Sequence, residues 1–432
     1  AEADGEATQL LRRTVSTPLR WEPATVDLAD YAGRSTRLSL TLESERAGTP
    51  AYWGSPASRN RGASSATVAS SAGRIAVAGE DTPPPQGVIF IVADTLRRDH
   101  LDAYGYERPT APTVRWFAEN GVLFKDAISQ GTWTKVSVSS ILTSLYPTTH
   151  GIKDMPDRLP AGVTTLAEAF RDAGYATFAT SSVPFTGKLT NLHQGIEVLH
   201  ESSSVPELDH SGSKTSRTYT DRLLEWIDLH QDVPFFAFLH VFDPHSPFRP
   251  MHPHDERWLE GAAIAEHESH LETVKEVVEV FHHLPSAQHL ADAEIDAETF
   301  LMAEKAWYDG SIRAMDYEIA RLLERLDELN LRDDTLIAFV ADHGEEFLEH
   351  GHHWHGHSAY GELVNVPMFV TWPGIVPQGL VIDRTTQSID LMPTLLELAR
   401  IPVPDAAQGE SLVPLLASPT DPAAMGWNRR AV

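Results

Sequence analysis

Three residues combine side chains suited to a divalent cation with positions where such sites form. Asp94 closes the run Val88–Ala93 (VIFIVA), and Asp342 and His343 close the run Leu336–Ala341 (LIAFVA). Two carboxylates and an imidazole form a mixed oxygen and nitrogen donor set, which suits Zn²⁺ or Mn²⁺. A fourth group, the Thr134 hydroxyl, lies in GTWTKVSVSSILTSLYPTTHG (131–151). It stands just ahead of a run with helical apolar spacing at Val138, Ile141, Leu142 and Leu145. The free N–H groups of a helix start favour an anion and help to activate a nucleophile. A Thr in that place is otherwise an N-cap. A bound cation lowers the pKa of a coordinated hydroxyl, so Thr134 could be ligand and nucleophile together.

The elements that must position these residues are readable from pattern. Both apolar runs are β-branched, which predicts buried strands. Two strands that each deliver an Asp at the carboxyl end predict an open parallel sheet with its site beyond those ends. Pro112–Asn120 is predicted as a helix closed by Gly121, and Thr165 and Glu168 form a capping box that opens another. Ala176–Thr180 and Phe235–Leu239 are predicted strands, the second leading into His240 and Asp243-Pro244-His245. Leu223–Leu229 and Leu391–Ala399 are predicted helices, and Val366–Trp372 a late strand. The longest helix is predicted over Leu301–Asn330, where Ile312, Met315, Ile319, Leu322, Leu326 and Leu329 recur at three and four. Strands alternating with helices give an α/β class with a mainly parallel sheet flanked by helices. Residues 251–300 are rich in His and acids at irregular spacing, which predicts a helical insertion or lid and not a metal site.

Composition narrows the function. With 432 residues the chain can bury a full core and hold more than one domain. A formal net charge of −27 excludes nucleic acid as a partner of choice. An anionic substrate must then be drawn by a local cation and nearby basic groups. No apolar run approaches membrane-spanning length. The absence of Cys removes any disulfide framework and leaves the compartment open, with periplasm or exterior favoured. Residues 1–85 read as a β-rich module plus linker, with Thr36–Leu42 alternating as a half-buried strand, a Ser/Ala-rich stretch at 64–71 and Pro83-Pro84-Pro85 as a stiff boundary.

Several ordered motifs carry a family resemblance from about Gly87 onward. They are DTLRRDHLDAYGY (94–106), TWTKVSVSSILTSLYPTTHG (132–151), FLHVFDPHSPF (238–248), YDGSIRAMD (308–316), VADHGEEFLEHG (340–351) and SIDLMPTLLELARIPVPDAAQGESLVPLL (388–416). Together they resemble the sulfatase branch of the alkaline phosphatase superfamily: first metal loop, nucleophile segment, central His motif, long helix, second metal loop and final block. The resemblance implies an alkaline-phosphatase/sulfatase-like fold over 86–432, lacking the usual C-terminal subdomain. It implies one divalent ion on Asp94, Asp342, His343 and Thr134, with Ca²⁺ as a further option because some members have His at this place. His245 resembles the residue that protonates the leaving group or binds the anion. Lys135 is placed to hold a non-bridging oxygen. His355 and His357 fall where the late basic residue of the family lies, and His357 is preferred from its distance to Tyr360. One of them could instead join Asp243 and His245 in a second metal site. Arg97 could orient the metal loop, and Lys188 could replace a Lys missing after the strand at 176–180. The segment around VDLADYAGRSTRLSL is similar to the closing strands of a jelly roll, with Trp21, Tyr52 and Trp53 as candidates for sugar stacking.

The departures from the family are specific. Sulfatases carry Cys or Ser in Cys/Ser-X-Pro-Ser-Arg and convert it to formylglycine. Here the aligned residue is Thr134, with Val136 and Val138 at the Pro and Arg positions. No formylglycine is expected. A hydrated aldehyde releases sulfate by collapsing back to the aldehyde, which a plain Thr ester cannot do, whereas water can displace a phosphothreonine in line. The expected activity is hydrolysis of a phosphodiester or phosphonate-type ester, or transfer to another acceptor. Sulfuric ester hydrolysis and a lapsed glycan- or anion-binding protein are the alternatives. The expected partner is a small anionic ester or glycan-derived substrate; oligomeric state is open.

Overall fold

A computed structural model describes residues 83–201, 215–278 and 284–417, together with residues 2–3, 6–9 and 30. The chain divides into two compact units, Ala1–Ser58 and Arg59–Val432. In the first, Glu2–Ala3 pairs antiparallel with Glu6–Ala7. The predicted strand at 36–42 and the aromatic residues Trp21, Tyr52 and Trp53 lie outside the described residues.

The second unit is built on an eight-stranded sheet. Its strands are β1 (Gly87–Asp94), β2 (Val122–Ile128), β3 (Ala176–Ser181), β4 (Val198–Glu201), β5 (Phe235–Pro244), β6 (Thr335–Ala341), β7 (Asn365–Thr371) and β8 (Leu380–Gln387). The order is β8-β2-β7-β6-β1-β5-β3-β4. All neighbours pair in parallel except β7, which runs antiparallel to both β2 and β6. The two apolar runs lie side by side at the centre, with Val88 opposite Leu336 and Ala93 opposite Ala341. Every position of β1 and β6 is buried. Each large apolar side chain covered there contributes about 1.5–3 kcal/mol, and that cost of slippage fixes the register.

The principal helices are α1 (Pro112–Glu119), α2 (Thr134–Thr143), α3 (Leu166–Asp172), α4 (Ser216–His230), α5 (Ala262–Val277), α6 (Ala297–Glu328) and α7 (Leu391–Leu398). The Thr165 capping box forms as predicted. Helix α6 starts four residues before its predicted Leu301, capped by the Asp296 carboxylate on the Thr299 N–H. Its apolar stripe is buried at Ile312, Met315, Ile319, Leu322 and Leu326. β5 runs on past Leu239 to Pro244 and so carries His240 and Asp243 on a strand. The described part of 251–300 contains α5, a short helix Ala287–Asp292 and the start of α6, with turns and irregular chain between them. Strands β2, β4 and β8 have no counterpart in the sequence reading. β8 (LVIDRTTQ) mixes polar with apolar residues, as an edge strand does.

Candidate functional site

The carboxyl ends of β1, β5 and β6 converge, as a parallel sheet requires. Asp94 ends β1, and Asp342 and His343 follow β6 directly; all three are fully buried. The start of α2 reaches the same end of the sheet. Gly131 packs so close to this helix that a Cβ would lie 2.8 Å from the Ser137 nitrogen. Hydroxyls of Ser129 and Ser137 both donate to the Asp342 carbonyl, tying α2 to the second loop.

Trp133, not Thr134, is the residue before α2, and Thr134 is its first helical residue. The Thr134 side chain makes no cap. Its Oγ1 lies 3.4 Å from both Asp94 carboxylate oxygens and 3.4 Å from His343 Nε2. His343 Nε2 is 3.3 Å from Asp342 Oδ2 and 3.8 Å from Asp94 Oδ1. His343 Nδ1 donates to the Gly344 carbonyl at 2.9 Å, which leaves the Nε2 lone pair facing the carboxylates. Asp342 Oδ1 accepts from the Thr95 and His343 N–H groups, while Oδ2 has no hydrogen-bond partner. Burial raises the Asp342 pKa, against the pull of His343. Two buried carboxylates with an orphaned oxygen, beside an imidazole lone pair, form a donor set that could hold a cation. The residues therefore fit one divalent ion.

A residue not foreseen as part of this centre joins it. His240 Nε2 lies 3.8 Å from Asp94 Oδ2, and one atom each of Asp94, His240 and Asp342 fall within 4.8 Å of one another. Burial, with His343 nearby, lowers the His240 pKa to about 3, so the ring is neutral. The signal was a single His inside an otherwise apolar strand, where a polar side chain needs a partner.

The two loops that carry Asp94 and Asp342 are braced from behind. Thr95 is β-branched and held at φ 57°, a conformation costing about 1–3 kcal/mol. Its N–H goes to Asp342, and its carbonyl accepts the Tyr308 hydroxyl from α6 at 2.7 Å. That same hydroxyl accepts the Arg97 N–H. The Arg97 guanidinium ties Asp99, Glu349 and the Glu345 carbonyl together.

The second half of the site is a cluster of rings. His245 is buried and donates from Nδ1 to the Ser246 carbonyl at 2.7 Å. Its ring stacks on Phe242 and meets Trp354 edge-on. His355 lies 4.4 Å from the His343 ring and 5.2 Å from the His245 ring, centroid to centroid. Its Nδ1 is 3.1 Å from Glu345 Oε1, and burial pushes the Glu345 pKa well up. The structure places His355, and not the preferred His357, within this ring cluster. His357 pairs with Glu346 at 2.9 Å and is one-third exposed (32 %), while His355 stands in the cluster.

Other expected residues face elsewhere. Lys135 is buried, and its ammonium donates to the Asp154 and Met155 carbonyls, so it is neither solvated nor turned to the Thr134 hydroxyl. Burial lowers its pKa. Lys188 is exposed and lies 3.7 Å from Glu201. Asp243 accepts the Thr215 and Ser216 N–H groups at the start of α4. No second metal-ligand group with His245 is present among the described residues.

The fold is an open α/β sheet with a group of residues that fits a divalent ion beyond its strand ends and a hydroxyl at a helix start. The Sulfatase family model matches residues 86–401, and the chain belongs to that family. An ulvan-active sulfatase of Formosa agariphila is 23% identical over 373 residues, covering 80% of this chain and 67% of that one. A phosphonate monoester hydrolase from Silicibacter pomeroyi superposes with a TM-score of 0.62 at 24% identity, covering 77% of this chain and 76% of that one. The phosphonate monoester hydrolase of Agrobacterium radiobacter gives a TM-score of 0.62 at 22% identity, covering 77% of each chain. This chain is accordingly a hydrolase of sulfuric or phosphoric esters.

Proposed function

We propose that this hydrolase cleaves a phosphodiester or phosphonate-type ester, with Thr134 as the nucleophile. The observation that carries the reading is the Thr134 hydroxyl, set at the first residue of α2 and 3.4 Å from both Asp94 and His343. Asp94, Asp342, His343 and Thr134 would hold one divalent ion, Zn²⁺ or Mn²⁺ by donor type, with Ca²⁺ as the further option. When bound, it supplies neutralisation of the ester's charge and a lower pKa for the hydroxyl. Thr134 Oγ would give up its proton to water and attack the phosphorus in line, one ester oxygen would leave, and water would then displace Thr134 from the resulting Thr-linked phosphodiester or phosphonate ester, freeing a phosphate monoester or a phosphonate. His355 or His245 gives the leaving oxygen its proton. Lys135, Arg97 and Lys188 are committed to other partners, so the centre suits a singly charged ester better than a dianion. Residues 1–85 are proposed as a separate β-rich module preceding this catalytic domain.

A sulfuric ester is the second reading, favoured by the name of the Formosa relative. The substrate would then be a small sulfated ester or glycan fragment. The test is a panel of aryl phosphodiester, aryl phosphonate monoester and aryl sulfate on metal-loaded protein, with acid quench and mass spectrometry of the Thr134 peptide. Phosphoryl substrates are expected to dominate and to leave an adduct on Thr134, the phosphoryl group with its second ester group from a diester or the phosphonyl group from a phosphonate. Dominant sulfate turnover, or label on another residue, removes the Thr-phosphoryl reading.

A further inference from the structure

Two imidazoles face the carboxylate pair, and the backbone sets them in opposite tautomers. The Gly344 carbonyl can only accept, so His343 carries its proton on Nδ1 and offers Nε2 as a lone pair. At His240 the partner is the Ser182 N–H, 3.4 Å from Nδ1, and an amide N–H can only donate. With Nδ1 accepting, the His240 ring carries its proton on Nε2. That nitrogen faces Asp94 Oδ2 at 3.8 Å and has no hydrogen-bond partner. Proximity alone groups His240 with Asp94 and Asp342 as a ligand. Ligation through Nε2 would move the proton to Nδ1 and set two N–H groups against each other. The residue is also pinned: its N–H goes to Thr180 Oγ1 at 3.0 Å and its carbonyl accepts the Ser182 hydroxyl at 2.6 Å.

We infer that His240 is a positioning residue, which donates from Nε2 to Asp94 and orients that carboxylate, and that it is not a ligand of the cation. The inference rests on the reading of Asp94 as a metal ligand and on nothing about the substrate. An approach of about 1 Å turns the 3.8 Å separation into an ordinary hydrogen bond. Ligating carboxylates are held by outer donors of this kind, and removing one typically weakens metal binding about 10- to 100-fold.

The test uses the full chain in three measurements. In metal-free protein with ¹⁵N-labelled histidine, the His240 signals are assigned by their loss in His240→Gln. Nε2 is expected to be protonated and Nδ1 not; the reverse tautomer overturns the inference. In Mn²⁺-loaded protein, electron spin-echo spectra are expected to show one coordinated imidazole nitrogen in the parent, kept in His240→Leu and lost in His343→Ala. Two coordinated nitrogens, with one lost in His240→Leu, overturn it. In Mn²⁺ titrations, His240→Leu is expected to weaken binding about tenfold or more, and His240→Gln, which keeps an N–H, to recover part of that loss. A Leu variant within twofold of the parent overturns the positioning role. Absence of Mn²⁺ binding in a folded parent sinks the metal reading itself, and with it the ligand half of this inference.

Discussion

The two halves of the site are built from different material. Asp94, His240 and Asp342 are carried by the central strands β1, β5 and β6 or directly follow them, and the sheet register fixes where they point. His245, His355 and His357 lie on the loops beyond. There, position is set by ring packing, by the Glu345 and Glu346 pairs and by unusual backbone, with Trp354 at φ 110°. The strand-end half is held by backbone pairing on both sides of β1. The loop half rests on a few local contacts, and leaving-group chemistry is the function that can be adjusted there.

If that division is right, substitutions should act differently in the two halves. Thr134→Ala is expected to cost at least about a thousandfold in kcat on every substrate, and Thr134→Ser to retain a measurable fraction. Equal losses across esters with good and poor leaving groups would mark the strand-end half as common machinery. A loss under tenfold would remove Thr134 as nucleophile. In the loop half, His355→Ala is expected to cost about a hundredfold on an alkyl ester and much less on a nitrophenyl ester, whose leaving group needs no proton. His357→Ala, paired to Glu346 and one-third exposed (32 %), is expected to stay within about threefold on both, the range of a surface ion pair. A larger effect at His357 than at His355 would restore the order inferred from spacing alone.

The same contrast explains what could be read from the sequence. The strands of the strand-end half are short apolar runs that end in Asp, and the periodic stripe of α6 and the capping box at Thr165 are equally local signals. These were legible because burial on both faces leaves a sequence no alternative. His355 against His357 was not legible. The choice depends on which ring the loop packs over His343, and the discriminating partner, Glu345, lies ten residues away. Lys135 misled for a related reason. Adjacent residues on a helix point in different directions, and its ammonium turned to carbonyls at 154 and 155. His240 was visible only as a polar residue in an apolar strand.

The smallest expected effect tests how firmly α2 is seated, since this helix presents Thr134 to the strand-end half. His150 is buried beneath it, with Nε2 3.0 Å from Ser140 Oγ and Nδ1 accepting the Ile152 N–H at 3.1 Å. Burial lowers its pKa to about 4, from 6.5 in an open chain. Between those values the unfolded chain binds more protons than the folded one, so stability falls as pH falls. The contribution is fully present above about pH 6.5, is lost by about pH 4 and amounts to about 2 to 3 kcal/mol. Asp316, which burial raises to about 6, works in the opposite sense over much of this window, so the parent's pH profile alone does not isolate His150. The informative quantity is the difference between parent and His150→Gln in urea midpoints from pH 7 to pH 4.5, at fixed metal saturation. The variant is expected to lose less stability on acidification than the parent. Parallel profiles would mean that His150 is not what makes the seat of α2 sensitive to acid, and that α2 owes its seating to the Ser129 and Ser137 clamp on Asp342 instead.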